Sequence, residues 1–77
     1  MVISSKQCRA ARAWLGWTQV DLADRALLSA PTVINFEKRN SVPSNDALTA
    51  IRAAFAKGGV RPTFDERGKA IGVEATR

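Results

Sequence analysis

The spacing of the hydrophobic residues predicts four helices followed by two strands. Four groups of apolar side chains recur at the three- and four-residue intervals that place them on one face of a helix. They are Cys8, Ala11 and Leu15; Leu22, Ala23 and Ala26; Val33 and Phe36; and Leu48, Ile51 and Phe55. Because each helix has one apolar face, the four can share a single core, and we expect a compact, mainly helical fold.

Polar residues and glycines predict where these helices begin and end. A serine or threonine suited to capping a helix precedes each group, at Ser4, Thr18, Ser29 and Ser44. Gln7 and Asp21 stand three residues after the first two caps, which is the spacing of a capping box. Gly16 ends the first helix and the pair Gly58-Gly59 ends the fourth, where a residue in the left-handed conformation closes a helix.

The segment after Gly59 predicts a β-hairpin. Its apolar residues alternate with their neighbours on both sides of a glycine-containing turn; they are Val60, Pro62 and Phe64, then Ile71, Val73 and Ala75. Pro62 has no amide hydrogen, which confines its strand to the edge of a sheet. A lone hairpin is marginally stable in water, so this one must pack on the helices or pair with another chain.

A very short connection joins the second and third predicted helices. Only Ala26-Leu27-Leu28 separates them, which leaves room for no more than a sharp corner. Pro31 lies in the first turn of the third helix, where an amide hydrogen is dispensable. Two helices that meet at such a corner form a helix-turn-helix, a motif that commonly places its second helix in a groove of DNA.

Length and charge fit this interpretation. The chain has 77 residues, enough for one small core, and carries a net charge of +5 with no histidine. A pI of about 10.4 favours a polyanionic partner, with nucleic acid ahead of an anionic membrane surface. The single cysteine, Cys8, rules out an internal disulfide and lies on an apolar helix face, so we expect a small buried hydrophobe there.

The residue types required for catalysis are not assembled in this sequence. It has no histidine, no glycine-rich phosphate loop, no metal-ligand set and no paired carboxylates beyond Asp65-Glu66, which are typical turn residues. We therefore expect a protein that is not an enzyme and that uses no metal or cofactor. The chain has no long apolar run and no signal-peptide pattern at its N-terminus, which favours a cytoplasmic location and no membrane association.

From about Ser4 to Phe55, the sequence resembles the Cro/cI-type helix-turn-helix regulators of phages and bacteria, the XRE family. The shared features are LGWTQ at 15–19, Leu-Ala at 22–23, Ser-x-x-Thr-Val at 29–33, Glu37, and Pro-Ser at 43–44. The resemblance implies a compact four-helix lambda-repressor-like domain at residues 1–59. The β-hairpin and tail at 60–77 would belong to the same compact unit.

The resemblance also implies roles for individual residues. Gln19 would hold a DNA phosphate at the N-terminus of the second helix, and Arg12 and Glu37 would form a structural ion pair between the first and third helices. Asn35 is the best candidate for reading a base, since an amide can bind adenine with two hydrogen bonds. The base-reading candidates are Asn35, Thr32, Ile34, Ala30 and Pro31; the phosphate-binding candidates are Gln19, Ser29, Lys38, Arg39, Asn40, Ser41 and Arg9, with Lys6 as an addition.

Two features depart from the family pattern. Leu27 occupies a turn position where the family usually has glycine, so the turn is either altered or strained by about 1 kcal/mol. The outward face of the third helix is rather apolar and has no arginine or glutamine. This composition fits DNA readout through methyl contacts and DNA shape, and it equally fits a surface that binds a protein.

Two functions are therefore open. The first is a sequence-specific DNA-binding transcriptional regulator, a repressor that also acts on its own gene, bound as a homodimer to a pseudo-palindromic operator. The alternative is a small antiactivator or antitoxin-like protein that binds another regulatory protein through exposed apolar surface. The hairpin either forms the dimer contact or only covers the core of its own chain. Candidates for a dimer or partner surface are Trp14, Val60, Phe64, Ile71 and Val73.

Overall fold

A computed structural model describes residues 2–76 and shows the predicted order of elements. The helices are α1 (Ser5–Leu15), α2 (Gln19–Ala26), α3 (Ala30–Glu37) and α4 (Asn45–Gly58), and the strands are β1 (Val60–Phe64) and β2 (Ala70–Ala75). The strands form an antiparallel pair. The prediction of four helices and a C-terminal hairpin is therefore confirmed.

The helix ends follow from local sequence. The Ser4 hydroxyl accepts a hydrogen bond from the amide of Gln7, whose side chain accepts one from the Ser4 amide, and Thr18 and Asp21 make the same reciprocal pair. Gly16 and Gly59 follow α1 and α4 with φ values of 70° and 93°. These are left-handed conformations that glycine adopts without steric cost. The predicted capping boxes and glycine stops are confirmed.

The turn between α2 and α3 is tight, although a leucine occupies the position that is usually glycine. Leu27 has a φ of 58°, and the amide of Leu28 donates to the carbonyl of Ala23 at 2.8 Å. This is the Schellman arrangement that usually has glycine at the left-handed position. The Leu27 side chain is 93% exposed, so packing does not compensate for the strain. Of the two expectations for this turn, the structure shows the strained leucine.

The core lies where α1, α2, α3 and α4 meet, with one side closed by the hairpin. It is formed by the side chains that the helical spacing predicted, together with Ile3, Ala54 and Val60, except that Leu15 is only partly buried and packs against its edge. At its edge Trp17 stacks on Phe55, with 5.7 Å between ring centroids. Gly58 allows this stacking, since a Cβ there would lie 3.0 Å from both the Trp17 ring and the Leu15 side chain.

The hairpin is attached to the helices of its own chain. Val60 and Pro62 are buried, and Val73 packs against the core from β2. The buried side chain of Gln7 donates to the carbonyls of Thr63 and Gly72, both at 2.8 Å, and so fastens α1 to both strands.

Within residues 2–76, no helix is long and apolar enough to cross a bilayer.

A bulge breaks the strict alternation of β2. Thr63 pairs with Gly72 and Phe64 pairs with Ala70, which leaves Ile71 as an extra residue without a partner position. Ile71 is consequently 63% exposed, although Val73 two residues later packs against the core.

Candidate nucleic-acid interface

A buried carboxylate, Glu37, connects α1 and α2 to the end of α3. Its side chain is 3% exposed and forms a two-pronged ion pair with Arg12, with Nε to Oε2 and Nη2 to Oε1 both at 2.7 Å. The Sγ of Cys8 donates to Oε2 at 3.1 Å, and the Nε2 of Gln19 donates to Oε1 at 3.2 Å. These contacts fix the last turn of α3 relative to both preceding helices.

The charge state of this cluster follows from the same contacts. Burial alone would raise the pKa of Glu37, but hydrogen bonds from Arg12, Cys8 and Gln19 outweigh it and hold the pKa below its usual value. Burial, followed by the hydrogen bond to Glu37, raises the pKa of the Cys8 thiol. Cys8 is thus a protonated donor as well as the buried residue that the sequence predicted.

The arginines of α1 also hold backbone groups. Arg9 donates from Nη1 to the carbonyl of Glu37 at 2.6 Å, and Arg12 donates from Nη1 to the carbonyl of Trp17 at 3.0 Å. Arg9 is otherwise exposed, so part of its guanidinium remains available to solvent or a ligand. A phosphate-binding candidate is thereby held at the junction of α1 and α3.

An open cleft lies at the N-terminus of α2. Its lining brings together Arg9, Arg12, Gln19 and Lys38, from three different helices or their ends. Gln19 is the first residue of α2, where the free amide groups and the helix dipole favour an anion. The contact from Glu37 uses one of the two hydrogens on Nε2 and orients the side chain. Three of the predicted phosphate-binding residues therefore border a single basic cleft.

The outward face of α3 is smaller than the sequence suggested. Ala30 was expected to face outward, but it is partly buried and packs against the core. Pro31 is exposed, and Thr32, Ile34 and Asn35 are partly exposed. The Thr32 hydroxyl lies 2.8 Å from that of Ser29, the N-cap of α3, whereas the side-chain amide of Asn35 has no hydrogen-bond partner within residues 2–76.

The loop after α3 presents exposed polar and basic residues. They are Lys38, Arg39, Asn40 and Ser41. Arg39 has a φ of 61°, and the amide of Asn40 donates to the carbonyl of Asn35 at 2.9 Å, so α3 also ends in a Schellman motif, with arginine at the left-handed position. The Nε of Arg39 lies 3.3 Å from the Ser5 hydroxyl, which orients the side chain against α1.

The candidates for a dimer or partner surface are divided by the fold. Val60 is 1% exposed and belongs to the core, so its assignment to such a surface is wrong. Val73 is partly buried against the same core, and Phe64 is partly buried with the Arg52 guanidinium 5.5 Å from its ring centroid. The two candidates that remain largely exposed are Trp14 and Ile71.

The two tryptophans that flank the end of α1 have different roles. Trp17 packs on Phe55 and has the guanidinium of Arg25 4.3 Å from its ring centroid. Trp14 is instead 68% exposed and remains available as part of a dimer or partner surface. The helical spacing of α1 gave no clear signal of this exposure, because Trp14 stands three residues after Ala11, at the edge of the apolar face.

Comparison with known proteins agrees with the geometry. A family model described as helix-turn-helix matches residues 9–60, which include most of α1 and all of α2, α3 and α4. The matched segment ends where the hairpin begins. Comparison with curated proteins finds none that matches the chain. The chain belongs to the Cro/cI-type (XRE) helix-turn-helix family, and it is a DNA-binding helix-turn-helix regulator.

Proposed function

We propose that this regulator is a repressor that binds a pseudo-palindromic operator as a homodimer, with α3 in the major groove. The observation that carries the proposal is the side-chain amide of Asn35, which has no hydrogen-bond partner among the described residues and lies on the outward face of a helix whose end is fixed by buried contacts. A base-contacting side chain on a helix that is already held rigidly loses little conformational entropy on binding. The alternative, a protein that acts only by binding another regulator, is not favoured by the family match.

The residues before α2 and after α3 support contacts to the DNA backbone on both sides of the groove. Gln19 and Arg9 lie at the cleft before α2, and Lys38, Arg39, Asn40 and Ser41 follow α3. Contacts from such residues to phosphates position a helix without specifying sequence. Ser29 adds a hydroxyl at the start of α3. Base contacts by α3 would then supply the specificity.

A dimer would supply the affinity that one small module lacks. Two copies related by a twofold axis would bind half-sites about one helical turn apart. The inner face of the hairpin is covered by its own helices, so we assign the hairpin to the core of its own chain. The second copy would then contact the exposed side chains of Trp14 and Ile71, at 68% and 63% exposure. Large exposed apolar groups of this kind are common at interfaces.

The experiment is an in vitro selection from a pool of random duplexes with the full chain, followed by titration of the enriched site and a scrambled copy. We expect an enriched site with twofold symmetry that is bound at least about 1,000-fold more tightly than the scrambled copy. Two protein–DNA complexes of different electrophoretic mobility, or cooperative binding, would show that two copies of the chain bind one site. Equal, salt-sensitive binding to both duplexes would overturn the proposal, because charge alone would then explain the affinity.

A further inference from the structure

We infer that α3 selects A·T base pairs, with Pro31 and Ile34 contacting the 5-methyl group of thymine while Asn35 binds adenine. The inference rests on the proposed function, since it requires α3 to lie in the major groove. It names the chemical group that this particular helix recognises.

Helix α3 lacks the side chains that read G·C pairs in the major groove. Guanine is read in the major groove mostly by arginine or lysine, and cytosine by a carboxylate. None of these residue types occurs between Ala30 and Phe36. Glu37 is buried in its ion pair with Arg12 and is not available to a base. Lys38 and Arg39 follow α3, in the exposed loop whose residues are assigned to DNA phosphates by the proposed function.

Helix α3 instead presents two aliphatic side chains beside one side-chain amide. Pro31, Ile34 and Asn35 are separated by three and four residues, so they lie on one face of the helix. Pro31 is exposed, and Ile34 presents part of a branched aliphatic side chain. The thymine methyl projects into the major groove and is read by apolar contact. An aliphatic pair beside a free amide therefore matches adenine and thymine together.

Thr32 and Asn35 differ in a way that sharpens this assignment. The Thr32 hydroxyl is engaged with the Ser29 hydroxyl at 2.8 Å, so part of its hydrogen-bonding capacity is used within the start of α3. Asn35 is the outward polar residue of α3 whose side chain has no hydrogen-bond partner within residues 2–76. One amide among apolar groups can satisfy the N6 and N7 of a single adenine.

The test changes only the DNA, so it does not depend on a variant that folds. Thymines of the selected site are replaced one at a time by deoxyuridine, which lacks the methyl group, and binding of the full chain is measured at constant salt. We expect affinity to fall about fourfold at one or two positions in each half-site, the value for one buried methyl-sized group. A cytosine methylated at carbon 5 should be tolerated better than plain cytosine at those positions.

Two variants assign the effect to α3. In Ile34→Ala, the difference between thymine and deoxyuridine should disappear at one position. In the matched control Val42→Ala, which removes an 88% exposed aliphatic side chain outside α3, the difference should persist. An unchanged affinity for every deoxyuridine duplex, or a selected site with G·C pairs throughout its half-sites, would overturn the inference while leaving the proposed function standing. Failure to select any site would instead overturn the proposed function.

Discussion

Replacing Glu37 with glutamine should destabilise the fold strongly, although the change is nearly isosteric. The carboxylate is 3% exposed and accepts two hydrogen bonds from Arg12 at 2.7 Å. A glutamine places an NH₂ group where one carboxylate oxygen stood, so it faces an arginine donor and leaves the charge of Arg12 uncompensated. Removing one partner of a buried pair costs about 3–5 kcal/mol. Because Arg12 is 19% exposed and partly hydrated, we expect the lower value, about 3 kcal/mol.

Urea unfolding followed by tryptophan fluorescence measures this loss. A chain of this length has a free energy of unfolding of about 4–12 kcal/mol, so the expected loss is a large fraction of the total. Glu66→Gln is the matched control, since it makes the same charge change at an exposed residue between β1 and β2. Equal midpoints for the two variants would refute the reasoning, because the buried pair would then contribute nothing beyond its net charge.

The pH dependence of unfolding gives a second readout of the same contact. The pKa of Glu37 is lowered in the folded state, where hydrogen bonds from Arg12, Cys8 and Gln19 outweigh burial. A lowered pKa stabilises the fold above the unfolded value of about 4.3 and loses that effect as the pH falls through the folded value. Hydrogen bonds from Thr18 also lower the pKa of Asp21, so the wild type must be compared with Glu37→Gln. The wild type should lose more stability than this variant below about pH 4.3, and parallel curves would contradict the assignment.

Four further predictions concern stability and binding. Leu27→Asn should raise the free energy of unfolding by about 0.5–1 kcal/mol, since asparagine tolerates the left-handed conformation; an unchanged urea midpoint would argue against strain at this turn. Gly58→Ala should lower the free energy of unfolding by about 1–3 kcal/mol, because a Cβ would lie 3.0 Å from the Trp17 ring. A higher free energy of unfolding, as helix propensity alone predicts, would contradict that contact. A chain that ends at Gly59 should fail to show a cooperative thermal transition by circular dichroism, because it lacks Val60 and Val73; a folded truncated chain would show that the hairpin does not complete the core. Arg39→Gly should leave stability unreduced but decrease the slope of log affinity against log salt by about 1, whereas Lys69→Ala in the hairpin turn should leave that slope unchanged.

Features fixed by neighbouring residues could be predicted from the sequence. Ser4 with Gln7 and Thr18 with Asp21 form capping boxes because both partners lie within one turn, and Gly16 ends α1 for a similarly local reason. The pairing of Arg12 with Glu37, 25 residues apart, was implied by the family resemblance rather than by any local pattern.

Features that depend on packing between elements could not be predicted in the same way. Gln7 looked like a capping residue only, yet the NH₂ group of the same side chain donates to the carbonyls of Thr63 and Gly72 in the hairpin. The period-two pattern did not reveal the bulge that exposes Ile71, and it left open whether Val60 faces its own core or a second chain. The role of Cys8 as a donor to Glu37 likewise arises only where α1 meets α3.

The measurement that tests the central claim most directly combines a change in Asn35 with a change in the DNA. Each adenine of the selected site is replaced by 7-deazaadenine, which lacks the N7 acceptor in the major groove, and binding is measured for the wild type and for Asn35→Ala. If α3 reads bases through Asn35, one substituted adenine per half-site should weaken wild-type binding by about 1–3 kcal/mol and leave Asn35→Ala unaffected. Equal losses for both proteins at every adenine would contradict the placement of Asn35 in the major groove.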